Sequence, residues 1–214
     1  MNGTATPRRI WLCADDYGLS PGVNRAIRDL IERGRLNATS VMVVGPSISR
    51  DEISALQTAA ANSPRCAIGL HVTLTAPFRP LTMYFQPLDG GMFLPFPKML
   101  RAGLLRQLDP EIIYAELIMQ FSIFTETFCR APDFVDGHQH VQLFPGVREA
   151  FLAAVKQAAP NAWVRQSGRN QPLLRRLDTP KALVLDILSA QFRRRASQAD
   201  IAFNPGFAGA YDFT

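Results

Sequence analysis

Arg9-Ile10-Trp11-Leu12-Cys13-Ala14-Asp15-Asp16 opens the regular part of the chain, and Ser20-Pro21 follows four residues later. The short apolar run is typical of a buried parallel strand that ends at the acidic pair. Serine before proline predicts a helix start, with Ser20 as the N-cap and Pro21 at the first helical position. Apolar residues then recur at helical spacing up to Gly34, which predicts the end of that helix. The stretch therefore predicts the first half of a βαβ unit.

The same alternation continues along the chain. Apolar segments predict strands at 39–44, 66–70, 133–135, 162–165 and 201–203, and periodicity predicts helices at 53–61, 109–129, 147–159 and 180–195. This order indicates an α/β fold with a mainly parallel sheet. With 214 residues, the chain has the length of one domain and falls short of the roughly 250 residues of a complete (β/α)₈ barrel. We expect a distorted or incomplete (β/α) barrel, with an open doubly wound sheet as the alternative.

Residues 76–100 interrupt this alternation of strands and helices. The segment contains five prolines, a Gly90-Gly91 pair and several aromatic residues, so it cannot form one regular element. A loop of this length in a compact domain is often a lid or a binding loop. The other interpretation is a loop that packs its own aromatic side chains onto the body of the domain.

The composition favours an ordered, basic protein. Apolar residues make up 47% of the chain, and the formal net charge is +5. A solvated basic face explains that charge more simply than nucleic acid does, because no RNA-binding or zinc-finger pattern accompanies it. No apolar run is long enough for a membrane span, and no secretory leader is recognisable, so we expect a cytoplasmic location. The three cysteines lack metal or disulfide spacing, which predicts reduced thiols.

One basic segment leaves two interpretations open. Residues 182–188 are largely apolar and precede Arg193-Arg194-Arg195. Such a pattern fits an amphipathic helix in peripheral contact with a membrane. It also fits a helix of the outer layer of a barrel that has a basic end.

Acidic and histidine residues follow several of the predicted strands. Asp15 and Asp16 follow the first strand, His71 follows the third, and His138 and His140 follow the strand at 133–135. Because the carboxyl ends of parallel strands meet at one rim, these side chains are expected to converge. One carboxylate and two imidazoles suit a divalent metal with open positions, and a second carboxylate can accept a proton. Each feature alone has a plainer explanation, since acidic pairs often cap helices and His-x-His is often structural.

Three motifs resemble the YdjC-like carbohydrate deacetylases: Ala14-Asp15-Asp16-Tyr17-Gly18-Leu19-Ser20, Ile68-Gly69-Leu70-His71-Val72-Thr73-Leu74-Thr75 and Asp136-Gly137-His138-Gln139-His140-Val141. Residues 203–213 are most similar to the branch associated with hopanoid biosynthesis. The resemblance implies a metal-dependent hydrolase that removes an N-acetyl group from an amino sugar or a glycolipid. It implies that Asp16, His71 and His138 hold one divalent ion, Mg²⁺ or Zn²⁺, and that Asp15 is the general base. His140 would lie beside the site, and Arg165 would orient the base or the substrate.

The sequence departs from the family pattern near its end. Family members continue to a later His-Pro-Gly-type segment whose histidine is a candidate general acid, whereas this chain has no histidine after His140. We therefore expect residues 1–214 to form a single deacetylase domain without the family's C-terminal end. A catalytically impaired sugar-binding protein and a metal phosphoesterase are the alternative functions. We also expect a homo-oligomer and no nucleic-acid partner.

Overall fold

The computed structural model describes residues 10–63, 65–169 and 180–209, without the side chains of residues 180–182. Its strands are β1 (Cys13–Tyr17), β2 (Ala38–Val41), β3 (Ala67–Val72), β4 (Leu88–Asp89), β5 (Met92–Phe93), β6 (Phe134–Gly137) and β7 (Trp163–Val164). Its helices are α1 (Pro21–Glu32), α2 (Arg50–Ala61), α3 (Phe96–Leu104), α4 (Pro110–Phe128), α5 (Arg148–Ala158) and α6 (Pro180–Gln198). A 3₁₀ segment, His138–Leu143, follows β6 directly.

The main sheet has five strands in the order β1-β2-β3-β6-β7, and every pairing is parallel. Strands of this sheet that are consecutive in the chain are neighbours, so the chain crosses the sheet in one direction from β1 to β7. Because such crossovers are right-handed, the connecting helices pack on the same face. The sheet also curls, since Arg165 Nη1, one residue beyond β7, lies 2.8 Å from Asp15 Oδ1 in β1. In a flat sheet these edge strands would be about 19 Å apart. The prediction of an α/β fold with an incomplete barrel is confirmed.

The inner, concave face of the curled sheet begins with a small apolar layer. The first residue of each strand contributes to it: Cys13, Ala38, Ala67, Phe134 and Trp163 form a cluster separate from the main core. The Phe134 ring stacks on Trp163 with ring centroids 4.7 Å apart. Gly69 leaves room for that ring, because a Cβ atom there would lie 2.6 Å from Phe134. We call these five residues the packing layer.

The outer face of the sheet packs against the helices and forms the main core. Val41, Leu70, Val135 and Val164 are completely buried there, among apolar side chains of α1, α2, α4 and α5. The helix starts follow the sequence signals, since Ser20 Oγ accepts a hydrogen bond from the Val23 amide. Asp109 likewise caps α4. The predicted starts of α1 and α4 are thus confirmed.

The first strand differs from the prediction. Residues 9–14 were expected to form a buried strand, but β1 covers Cys13–Tyr17, and Ile10 and Leu12 are 67% and 55% exposed. The acidic pair therefore lies within the strand instead of after it. The physical reason is that the curled sheet has a polar inner rim, so two carboxylates can occupy a strand without entering the apolar core. The predicted strand at 201–203 is reduced to one parallel bridge between Phe203 and Val164.

The interrupted region 76–100 contains the β4–β5 hairpin and the first turn of α3. Phe78, Phe85 and Phe93 are buried, and the last two rings meet edge to face at 4.8 Å. Tyr84 is 84% exposed. The segment thus packs most of its aromatic side chains onto the body of the domain.

Within α6, Phe192 and Ala196 are completely buried, whereas Val184 and Ile187 are about half exposed. This helix packs on the body of the domain through its second half. In the described part of the chain, no helix combines the length and apolar composition that crossing a bilayer requires. The three cysteines are free thiols.

Candidate functional site

A polar layer follows the packing layer, two residues further along most of the strands. Asp15, Ser40, Asp136 and Arg165 lie two positions beyond Cys13, Ala38, Phe134 and Trp163, on the same side of the sheet because side chains alternate. In β3 the equivalent position is Gly69, which has no side chain. His71, two residues further along β3, contributes its side chain instead. We call Asp15, Ser40, His71, Asp136 and Arg165 the polar layer. It lies at the carboxyl edge of the sheet, as the sequence predicted.

Three donor atoms at this edge could share one metal ion. One ligand atom from each of Asp16, His71 and His138 lies within 4.8 Å of the others. Asp16 Oδ1 is 2.9 Å from His138 Nδ1 and 3.2 Å from His71 Nε2. Burial would raise the pKa of Asp16, but the hydrogen bonds from His138 and His71 hold it well below its usual range. Asp16 is thus an ionised carboxylate between two imidazoles, a suitable ligand for a cation.

A bulge in β1 brings both aspartates to the site. Ala14 pairs with Thr39 and Tyr17 pairs with Val41, so β1 has one residue more than β2 in this interval. Asp16 takes up the extra length in the left-handed region, with φ of 67°. A regular strand would send Asp15 and Asp16 to opposite faces. The bulge instead directs Asp15 to Arg165 and Asp16 to the histidines, and bulges of this kind recur beside active sites.

Two buried groups contact Nδ1 of His71 and fix the orientation of its ring. Its Nδ1 lies 2.5 Å from Asp136 Oδ1 and 3.1 Å from Ser40 Oγ, and all three residues are buried. Desolvation lowers the pKa of His71, but the carboxylate of Asp136 outweighs it and raises that pKa to about 10. The second nitrogen, Nε2, faces Asp16. Carboxylate support of this kind orients histidine ligands in metal sites.

Arg165 joins the two carboxylates of the polar layer. Its guanidinium meets Asp15 through both terminal nitrogens, at 2.8 and 2.5 Å, and Nη2 lies 2.7 Å from Asp136 Oδ2. Burial would raise the pKa of Asp15, yet Arg165 lowers it to about 2. Burial alone would lower the pKa of Arg165, and Asp136 and Asp15 raise it well above its usual range. Asp15 is therefore ionised at neutral pH and fixed in orientation.

His140 lies near Arg165, and both contact the ring of Phe207. Its Nδ1 is 2.9 Å from Ser167 Oγ, and its ring meets Phe207 edge to face at 5.6 Å. Burial, together with the charge of Arg165, lowers the pKa of His140 to about 4. The same Phe207 ring lies 5.6 Å from the Arg165 guanidinium carbon. At another edge of the site, Phe78 meets the His138 ring.

The structure brings together every site residue expected from the sequence: Asp15, Asp16, His71, His138, His140 and Arg165. It adds Asp136 and Ser40, which sequence reasoning passed over as strand residues, and Phe207. Counting by two from the observed strand starts, Phe134 and Ala38, reaches Asp136 and Ser40, whereas counting from the predicted starts at 133 and 39 does not. No comparable signal marks Phe207, which reaches the site because Asn204 clamps the backbone of Gln166.

The donor set fits a divalent cation. Two imidazole nitrogens and one carboxylate oxygen are ordinary ligands of catalytic zinc and leave positions open. A second group of potential ligands, Cys13, Asp15 and Asp136, lies deeper in the inner face. There the guanidinium of Arg165 already forms ion pairs with both carboxylates. The cluster of Asp16, His71 and His138 is therefore the better candidate centre.

Comparison with known proteins identifies the family of this chain. Residues 9–214 match the family of YdjC-like proteins. A chitooligosaccharide deacetylase of Escherichia fergusonii is 33% identical over 144 residues, which are 63% of this chain and 50% of that protein. The crystal structure of an Enterococcus faecalis protein, described as a cellobiose-phosphate cleavage protein, has a TM-score of 0.67 at 21% identity. The structural alignment covers 94% of this chain and 69% of the E. faecalis chain. This chain belongs to the YdjC-like family.

Proposed function

We propose that the protein is a metal-dependent hydrolase that removes an N-acetyl group from an amino sugar. The observation that carries this proposal is the cluster of Asp16, His71 and His138 with an ionised carboxylate, Asp15, in the adjacent position. The name of the E. fergusonii relative supports the carbohydrate amide as substrate. Because the match spans only half of that relative, the activity is a proposal for this chain.

Asp16, His71 and His138 would hold one divalent ion, Mg²⁺ or Zn²⁺. Bound there, the ion would supply Lewis acidity, which polarises the amide carbonyl and makes an attacking water more acidic. Asp15 would accept the proton of that water, since it is ionised and faces the site. Arg165 would keep Asp15 charged and correctly oriented, and Asp136 would hold both Arg165 and His71 in place.

The flanking groups suit a sugar. Phe207 is partly exposed beside Arg165, and His140 lies next to it, so a ring and a polar hydrogen-bonding group are available together. Aromatic faces commonly pack against the apolar side of ligands while polar groups fix their orientation. We assign His140 to substrate contact. The similarity of residues 203–213 to the hopanoid-associated branch extends the proposal to an amino sugar on a glycolipid, although residues 210–213 lie outside the described structure.

Acetate release from a panel of N-acetylated amino sugars and chitooligosaccharides tests the proposal. We expect turnover that needs added divalent metal, and a loss of about 10²- to 10⁴-fold in kcat for Asp15→Asn, because that change removes the proton acceptor. Asp16→Ala and His71→Ala should lose bound metal, as measured by metal analysis of the purified proteins. Unchanged metal content in both variants, or no acetate from any substrate, contradicts the proposal. A parallel panel of phosphate esters distinguishes phosphoesterase activity.

A sugar-binding protein of the same fold is the second candidate. Among the described residues, the histidine next to the proposed centre is His140, whose lowered pKa makes it a poor proton donor to a leaving amine at neutral pH. Calorimetric titration with chitooligosaccharides would show binding without acetate release if this candidate is correct. A cytoplasmic location, a single domain over residues 1–214, homo-oligomerisation and contact of α6 with a membrane remain predictions.

A further inference from the structure

Helix α3 has a buried face and an outer apolar face that the described part of the domain covers only in part, through Phe96 and Leu100. Met99, Ala102 and Gly103 are buried. On the other side, two ridges at i, i+4 spacing line an open groove of about 440 Å³: Phe96, Leu100 and Leu104 in one ridge, and Pro97, Arg101 and Leu105 in the other. Leu104 and Leu105 are 57% and 53% exposed. We call this surface the α3 groove.

An apolar outer face on a short surface helix is unusual. The solvent side of an amphipathic helix is normally charged or polar, whereas the α3 groove offers Arg101 as its only charged side chain. Contiguous exposed apolar surface of this kind marks sites of contact with proteins or membranes. Its helical spacing shows that the surface is a continuous strip instead of scattered single residues.

The charge around the groove indicates the kind of partner. Residues 76–106 contain four basic residues, Arg79, Lys98, Arg101 and Arg106, and one acidic residue, Asp89, a net of +3 out of +5 for the chain. Asp89 pairs with Lys98. Arg101, which lines the groove, and Arg106, next to Leu105 in the chain, are exposed and make no ion pair with any described residue. Exposed leucine and phenylalanine flanked by arginine are typical of surfaces that insert shallowly into anionic bilayers.

The chain segment that precedes α3 also contacts the proposed site. Its Phe78 meets His138, and the Phe93 amide donates a hydrogen bond to the Phe78 carbonyl oxygen. Helix α3 begins three residues after Phe93 and touches the body of the domain where Phe96 meets Phe144. The chain segment that leads to the groove thus also contacts the rim of the sheet through Phe78.

We propose that the α3 groove is a membrane-contact surface for anionic lipid. This surface differs from the one on α6 that the sequence suggested. It does not depend on the proposed hydrolysis, because a bilayer would bind through Leu104, Leu105 and Arg101 whether or not the site is active. Other occupants, such as a second copy of the chain, are outcomes of the test.

Flotation with vesicles of phosphatidylglycerol and phosphatidylcholine, compared with phosphatidylcholine alone, tests the proposal. We expect the protein to float with the anionic vesicles and to be released by salt. Leu104→Glu/Leu105→Glu should weaken binding at least about tenfold, because two leucines no longer enter the bilayer. Arg101→Gln should weaken only the binding to anionic vesicles. Circular dichroism melts, and acetate release from an N-acetylated amino sugar that carries no lipid, should match wild type, since these side chains are outside the site.

Val184→Glu/Ile187→Glu is the matched control, because these α6 side chains are 50% and 52% exposed. We expect this variant to float like wild type. Wild-type protein that stays at the bottom of every gradient overturns the proposal, as does loss of binding in the α6 variant alone. Sedimentation velocity decides the remaining case: a dimer that Leu104→Glu/Leu105→Glu dissociates would assign the groove to a second copy. Absence of acetate release with intact flotation would reject the proposed function and leave this proposal standing.

Discussion

The packing layer and the polar layer are neighbours on the same strands, yet they differ in almost every property. Cys13, Ala38, Ala67, Phe134 and Trp163 form an apolar cluster without a charge. Two residues further along, Asp15, Asp136 and Arg165 form an ion-pair network in which Asp136 and Arg165 are buried. The strands thus support chemistry only at their carboxyl ends, where the barrel rim is open. Stability should depend on the first layer and ligand binding on the second.

The largest expected effect on stability is in the packing layer. Phe134→Ala should lower the free energy of unfolding by about 3–5 kcal/mol, because it leaves a cavity beside Trp163 and removes a ring that is completely buried. Denaturant unfolding measures this change. The folded variant should bind divalent metal as wild type does, with Phe134→Leu as a milder control. Loss of metal binding in folded Phe134→Ala would show that the two layers are not separable.

Asp136→Asn is the matched change in the polar layer. The amide keeps the shape but no longer orients His71 through a charged hydrogen bond, so metal affinity should fall about 10- to 100-fold. Metal titration by calorimetry gives this number, and denaturant unfolding gives the accompanying change in stability. A variant with wild-type metal affinity would remove Asp136 from the site.

The site residues at this rim could be predicted from the sequence where their residue type and their position near a strand end were enough to identify them. Asp15, Asp16, His71 and His138 are chemically distinctive and lie near predicted strand ends. Their division of roles could not be predicted, because it depends on the β1 bulge and on Asp16 in the left-handed region. Asp136 was overlooked because its partners, His71 and Arg165, are distant in sequence and meet only when the sheet curls. The first strand was misplaced because apolar residues 10–12 look like a core strand, although they lie outside it.

Metal binding should depend on pH through His71. Its pKa is about 10 in the metal-free protein, against an ordinary value of 6.5. The proton stabilises the metal-free fold fully below pH 6.5, and this contribution disappears as the pH rises through 10. A cation must displace that proton, so its apparent affinity should rise about tenfold per pH unit between pH 7 and 9. Titrations at several pH values check this slope, and a flat profile would contradict the ionised state of His71.

The smallest effect is expected at the boundary between the layers. Gly69→Ala places a methyl group against the Phe134 ring, at 2.6 Å before relaxation, and should cost about 1–3 kcal/mol of stability. Combining it with Phe134→Leu should recover part of that loss, which a double-mutant cycle measures. Fully additive changes would mean that the two residues do not touch.

The central claim is that Asp16, His71 and His138 hold one divalent cation. The neighbouring carboxylates of Asp15 and Asp136 instead pair with Arg165. Anomalous diffraction from crystals grown with zinc, recorded on both sides of the zinc absorption edge, tests this directly. We predict one strong peak in contact with Asp16 Oδ1, His71 Nε2 and His138, and none between Asp15 and Asp136. A peak at Cys13, Asp15 and Asp136, or zinc bound only at the protein surface, would contradict the account.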